Sequence, residues 1–138
     1  MSKNVIRWTA VVVLVVAAGV AVLLAWPSPS RPLASSPTCH ALADIATYDA
    51  AHTTQTYPVL AANLLYANRA LAAVTAPPAS IATALNQATN TSATMYHIVG
   101  RIIAKATFTK GEQTAALLQI HLWRVSQTSL ATWRRANC

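Results

Sequence analysis

His40, Asp44, Tyr48 and His52 recur at every fourth residue, and Asp49 stands three before His52. Imidazoles and a carboxylate along one helical face are zinc or copper chemistry, because a neutral imidazole nitrogen ligates either ion well. His97 and His121 lie further along the chain, with Met95 near His97, so a metal held inside a helical bundle is one reading. The spacing argues against it. A helix has about 3.6 residues per turn, so each step of four drifts by about 40° and His40 and His52 diverge by roughly 120°. The Glu-x-x-His pairs of carboxylate-bridged bundle sites are also missing. His40, Asp44 and His52 therefore stand as metal candidates behind the plainer expectation of solvent-facing or capping side chains, and no cofactor is expected.

Other catalytic chemistry finds even less material. The whole chain has three acids, too few for a pair acting as acid and base, and it has no G-x-S-x-G nucleophile turn. Covalent haem attachment would need a C-x-x-C-H run that does not occur. Asn90-Thr91-Ser92 matches a glycosylation acceptor but falls within a helical stretch and reads as chance. No catalytic residue is assigned, and the chain is not expected to be an enzyme.

Cys39 and Cys138 are the only cysteines, and neither has a C-x-x-C partner or a His-Asn setting that would make it a nucleophile. In an oxidising compartment two such thiols pair. A Cys39–Cys138 bridge would contribute up to about 4–5 kcal/mol by restricting the unfolded chain.

The formal charge is +7. Lys3 and Arg7 precede the apolar block, leaving eight basic residues against Asp44, Asp49 and Glu112 after it. No alternation of basic and aromatic residues suggests a nucleic-acid track, so a basic domain of this kind is expected to meet anionic headgroups or wall polymers. Arg101, Lys105 and Lys110 cluster near a turn and form the candidate patch for an anionic partner. Arg134 and Arg135 complement a helix C-terminus and need no further role. Tyr57, Tyr66, Tyr96, Trp123 and Trp133 read as core fillers.

These residues need elements to position them. From Trp8 to Trp26 the chain is WTAVVVLVVAAGVAVLLAW, without a charge. As a helix it would span about 28 Å, close to the roughly 30 Å hydrocarbon core. Trp8 and Trp26 suit the two headgroup boundaries, and Lys3 and Arg7 keep the N-terminus in the cytoplasm. This is an expected signal anchor at residues 8–26, with a cytoplasmic tail at 1–7. A cleaved secretory signal is the competitor, but its apolar core would be shorter. Seven cytoplasmic residues leave no room for an output domain. Residues 27–38, PSPSRPLASSPT, hold four prolines and four serines and read as an extended spacer.

From residue 39 to 138 the pattern is helical throughout, in keeping with an Ala- and Thr-rich composition poor in glycine. Leu42, Ile45 and Asp49 begin a stripe that continues in phase through Leu60, Leu64, Ala67, Leu71 and Val74. Pro58 interrupts it after TTQTY. Unbroken phase favours a kinked single helix, whereas the three threonines and the proline favour a turn. Pro77-Pro78 then breaks the chain, with Pro78 suited to the first turn of the next helix. That helix carries Ile81, Leu85, Ala88, Ser92, Met95, Val99, Ile102 and Ala106. Thr109 and Glu112 have capping-box spacing for the last helix, which is apolar on more than one face through Leu117, Leu118, Ile120, Leu122, Val125 and Leu130. It should be the most buried element or a partner surface.

The expected fold is all-α: a transmembrane helix followed by a small antiparallel bundle. Four segments are favoured because only they return Cys138 to the level of Cys39; a three-helix hairpin kinked at Pro58 is the alternative. The expected function is a membrane-anchored extracytoplasmic interaction module, an accessory or docking protein with a protein partner in the membrane or envelope and no nucleic-acid partner. The alternatives are a phage- or plasmid-type envelope effector of lysis or superinfection exclusion, and a small ligand- or metal-binding bundle. The expected location is the plasma membrane, with the domain outside.

Overall fold

A computed structural model describes residues 33–53 and 56–138. The expected anchor at 8–26, its flanking Lys3, Arg7, Trp8 and Trp26, and the first half of the spacer (27–32) lie outside the described residues. Among the described residues, no helix is long and apolar enough to cross a membrane.

The described chain forms four helices and no strand: α1 (Pro37–Ala51), α2 (Tyr57–Ala72), α3 (Ala79–Ile103) and α4 (Lys110–Asn137). Helix α1 begins inside the stretch read as spacer. Ser36 is its N-cap, with Oγ accepting from the Cys39 N–H at 3.2 Å, and Pro37 occupies the first turn, where its missing N–H costs nothing. The helix stops at Ala51, and the N–H of His52 turns back to the Asp49 carbonyl at 3.2 Å.

Helix α2 then restarts at Tyr57, with Pro58 again in the first turn. The kinked three-helix alternative is therefore wrong. In mid-helix Pro58 would remove a hydrogen bond and press its ring on the carbonyl one turn back; in the first turn neither penalty arises. Unbroken apolar phase misled because α1 and α2 face the same core, and shared orientation does not require a continuous backbone.

The helices alternate in direction. Between α1 and α2, Tyr48 stacks on Tyr66 at 4.0 Å while Asn63 Nδ2 donates to the His52 carbonyl at 3.2 Å. Between α3 and α4, Trp133 Nε1 donates to Ser80 Oγ at 3.1 Å, while Arg101 meets Glu112 at 2.8 Å. In both pairs one residue number rises as the other falls. Asn68 Nδ2 links α2 to α3 through the Thr89 carbonyl at 2.8 Å. Helix α1 packs mainly on α2 and meets α4 lightly. The Cys39–Cys138 disulfide closes that last seam, with Cα atoms 5.7 Å apart across 99 residues of chain.

The core is the sum of four stripes. Leu42 and Ile45, then Leu60, Leu64 and Leu71, meet Ile81, Leu85, Met95 and Val99 of α3 and Ile120, Trp123, Leu130 and Trp133 of α4. Each fully buried leucine contributes about 1.5–3 kcal/mol relative to leaving it in water. The tyrosines Tyr57, Tyr66 and Tyr96 pack against this core only partly buried.

Two turns show how the sequence ends helices. At the end of α3, Lys105 takes φ 56°, the Ala106 N–H reaches the Arg101 carbonyl at 2.9 Å, and the Lys105 N–H reaches Ile102 at 3.0 Å. These are the two bonds of a Schellman motif, formed here without glycine. At the start of α4, Thr109 and Glu112 make the expected capping box: Glu112 Oε2 accepts from the Thr109 N–H at 2.7 Å, and Thr109 Oγ1 from the Glu112 N–H at 3.2 Å. Pro78 sits one position earlier than expected, as the N-cap of α3. Helix α4 is not buried all round, since Leu117, Leu118 and Val125 are exposed.

Candidate functional site

The polar residues along α1 and at its C-cap divide by exposure. His40, Asp44 and His52 are all exposed, whereas Asp49, in phase with Leu42 and Ile45, is 5% exposed. His52 lies one residue beyond the last turn of α1, outside the helical register of His40. Among the described residues, no group of three His, Cys, Asp or Glu side chains is placed to hold a metal ion. His97 and His121 stand exposed on α3 and α4, and His97 lies edge-on to Tyr96 with ring centroids 5.7 Å apart.

The structure does assemble a cluster at the junction of α1 and α2. The rings of His52, Tyr48 and Tyr66 form one stack, with centroids 4.1 Å apart in the first pair and 4.0 Å in the second. His52 Nδ1 lies 2.8 Å from the Tyr48 carbonyl. A carbonyl only accepts, so Nδ1 carries the proton in this arrangement and Nε2 is left for solvent. Asn63, from α2, donates to the carbonyl of His52, while its own Oδ1 is buried and, among the described residues, without a hydrogen-bond partner.

Asp49, next to Tyr48 in the chain, is buried within electrostatic reach of His52. Burial pushes its carboxyl up from 3.8 to about 7, against the opposing pull of His52. Removing a carboxylate from water penalises its charged form, and a single exposed imidazole offsets only part of that cost. Asp49 can therefore hold or release a proton near neutrality. With so little of it exposed, and no second carboxyl beside it, it has the chemistry of a proton-holding core residue, not of an acid that reaches a substrate.

The expected basic tip also takes a different form. Arg101 donates through one guanidinium nitrogen to Glu112 Oε1 at 2.8 Å and through the other to the Thr107 carbonyl at 2.8 Å. Its planar head also lies over the Phe108 ring, 4.4 Å from the centroid. The Arg101 hydrogen bond, followed by that from the Thr109 backbone, holds the Glu112 carboxyl below its usual range. Arg101 thus staples the α3–α4 turn, and Lys105 and Lys110 are the exposed cations of the tip outside that staple. That tip is at the opposite end of the bundle from the disulfide, since α4 runs from Lys110 to the residue before Cys138.

Sequence reasoning found Asp49, His52 and Arg101 by type but not by role. The signal for Asp49 was present, because a carboxylate in phase with leucine and isoleucine must be buried with them. The pairing of Tyr48 with Tyr66 and of Arg101 with Glu112 had no local signal, because each joins two helices. The chain matches no protein-family model, no curated protein and no solved structure.

Proposed function

We propose that the chain is a membrane-anchored helical interaction module. In this reading residues 8–26 anchor it, residues 1–7 stay in the cytoplasm, and residues 27–36 space the four-helix bundle from the bilayer on the outer side. The bundle then serves as an accessory or docking subunit of a larger envelope assembly.

The observation that carries the docking part is the outer face of α4, where Leu117, Leu118 and Val125 are 45%, 55% and 45% exposed. Adjacent exposed branched side chains on one element are a feature of surfaces that meet a partner. The uncharged segment 8–26 supports the anchor, and the Cys39–Cys138 disulfide supports an oxidising compartment.

The test is a photo-crosslinking side chain at position 118 of the full chain in its native membrane. One discrete adduct with another envelope protein, abolished by Val125→Lys, is expected. Adducts to lipid alone, to a second copy of the chain, or no adduct at all would refute the docking reading.

A further inference from the structure

A hydroxyl inside an α-helix has a default acceptor, the carbonyl one turn back. Thr47, Thr89, Thr91, Thr94, Thr114 and Thr128 all donate to it, at 2.8–3.1 Å. Ser92 and Ser126 donate to the carbonyl three residues back, at 2.9 and 2.8 Å. Thr83, Ser129 and Thr132 depart from this habit. Among the described residues their side chains make no hydrogen bond, and all three line one groove.

The groove lies between the first turns of α3 and the last turns of α4, at the end of the bundle that bears the disulfide, and is a wide, open depression of about 590 Å³. That volume is within the usual range for small-molecule sites. Ser80 Oγ, at its edge, accepts from Trp133 Nε1 at 3.1 Å and keeps its own proton to give. Asn137 spends Nδ2 on the Trp133 carbonyl at 2.8 Å, leaving Oδ1 to accept. Gln87 adds an amide from the far end of the α3 wall. Ala84 and Ala136 add a small apolar strip to the lining, with Ile81 beneath it only 3% exposed.

Among the described residues, no charged side chain lines the groove, so the lining offers nothing to phosphate, carboxylate or ammonium. Its hydroxyls and amides both donate and accept, and successive ones on a helix lie about 5–6 Å apart. That separation is close to the width of a pyranose ring, whose hydroxyls also donate and accept and whose C–H face suits an apolar strip. An extended peptide presents polar groups to one edge only at every second residue, about 6.6–7 Å apart, and is the ligand class the test must separate from a saccharide. We propose that this groove binds an uncharged saccharide.

The test is a proton–nitrogen NMR titration of the full chain in a phosphocholine detergent, which has no sugar headgroup. Maltotriose, mannotriose and chitotriose are titrated separately to about 10 mM, with a neutral unstructured hexapeptide as the competing ligand class. At least one saccharide is expected to give saturable shifts confined to residues 80–87 and 128–137. The Thr83→Val, Thr132→Val double variant removes two exposed hydroxyls while keeping side-chain volume. It is expected to melt as the parent does and to bind about tenfold more weakly. The assignment is overturned if no saccharide gives saturable shifts, if only the peptide does, or if the double variant binds unchanged.

Discussion

Asp49→Asn should stabilise this protein, and should do so more as pH rises. The carboxyl is 5% exposed, and burial lifts it from 3.8 to about 7 in the folded state. Below the unfolded value both states are protonated and burial carries no charge penalty. As pH rises from there, the unfolded chain ionises while the folded chain still holds its proton, so folding weakens. The loss is complete once pH has passed the folded value near 7. Each tenfold change in an acid dissociation constant is worth about 1.36 kcal/mol, so the full effect is on the order of 4 kcal/mol. Asparagine keeps the shape and removes the titration. Urea denaturation of the full chain, followed by far-ultraviolet circular dichroism with the disulfide intact, measures the difference at each pH. The two proteins should be nearly equal at about pH 4, with the variant ahead by about 2–4 kcal/mol at about pH 8. His52 is present in both, so its own titration largely cancels in the comparison. Parallel curves for the two proteins across this range would show that Asp49 is not buried with its proton.

Cys138→Ser removes the closure between α1 and α4 and should cost up to about 4–5 kcal/mol, the chain-entropy value for a loop of this length. Because α1 otherwise packs mainly on α2, amide hydrogen exchange should quicken first in residues 37–51. Glu112→Ala loses both the cap of α4 and the partner of Arg101, so exchange should rise through the α3–α4 turn and the melting temperature should fall at neutral pH. The parent should lose the same contribution on acidification, because a carboxyl held below its usual range stabilises the fold only while it is ionised. Lys105→Gly relieves a left-handed backbone at φ 56° and should raise stability by about 1 kcal/mol, read as a higher thermal midpoint.

What the sequence made legible was local or periodic. The stripe from Ile81 to Val99 is buried as its spacing requires, because nothing within α3 breaks the period. Thr109 and Glu112 announced the start of α4, since a capping box depends only on residues three apart. Cys39 and Cys138 could be paired by topology once four helices were assumed. Where two local rules competed, at Pro58, the steric rule won over the phase argument. Features lying between helices were illegible for a common reason: a side chain's partner on another helix depends on rotation about the helix axis. Arg101 therefore read as one of three surface cations, when the Glu112 carboxylate eleven residues on had already claimed it. Leu117, Leu118 and Val125 could not be told from Ile120 and Leu130 by hydrophobicity; only the placement of α3 decides which face of α4 is covered. Thr83, Ser129 and Thr132 carried no signal as a group, because α3 and α4 must fold against each other before they line one groove.

The proposal that the bundle is held on the outer face of a membrane by its N-terminal segment has one direct measurement. Membranes carrying the full chain are treated with a thiol-alkylating reagent before and after reduction, extracted with detergent, and analysed by intact mass. The expected result is a chain that retains residues 1–26, leaves the membrane only with detergent, and takes up reagent at Cys39 and Cys138 only after reduction. A chain that is released without detergent, or whose two thiols are alkylated before any reductant is added, would contradict the proposal.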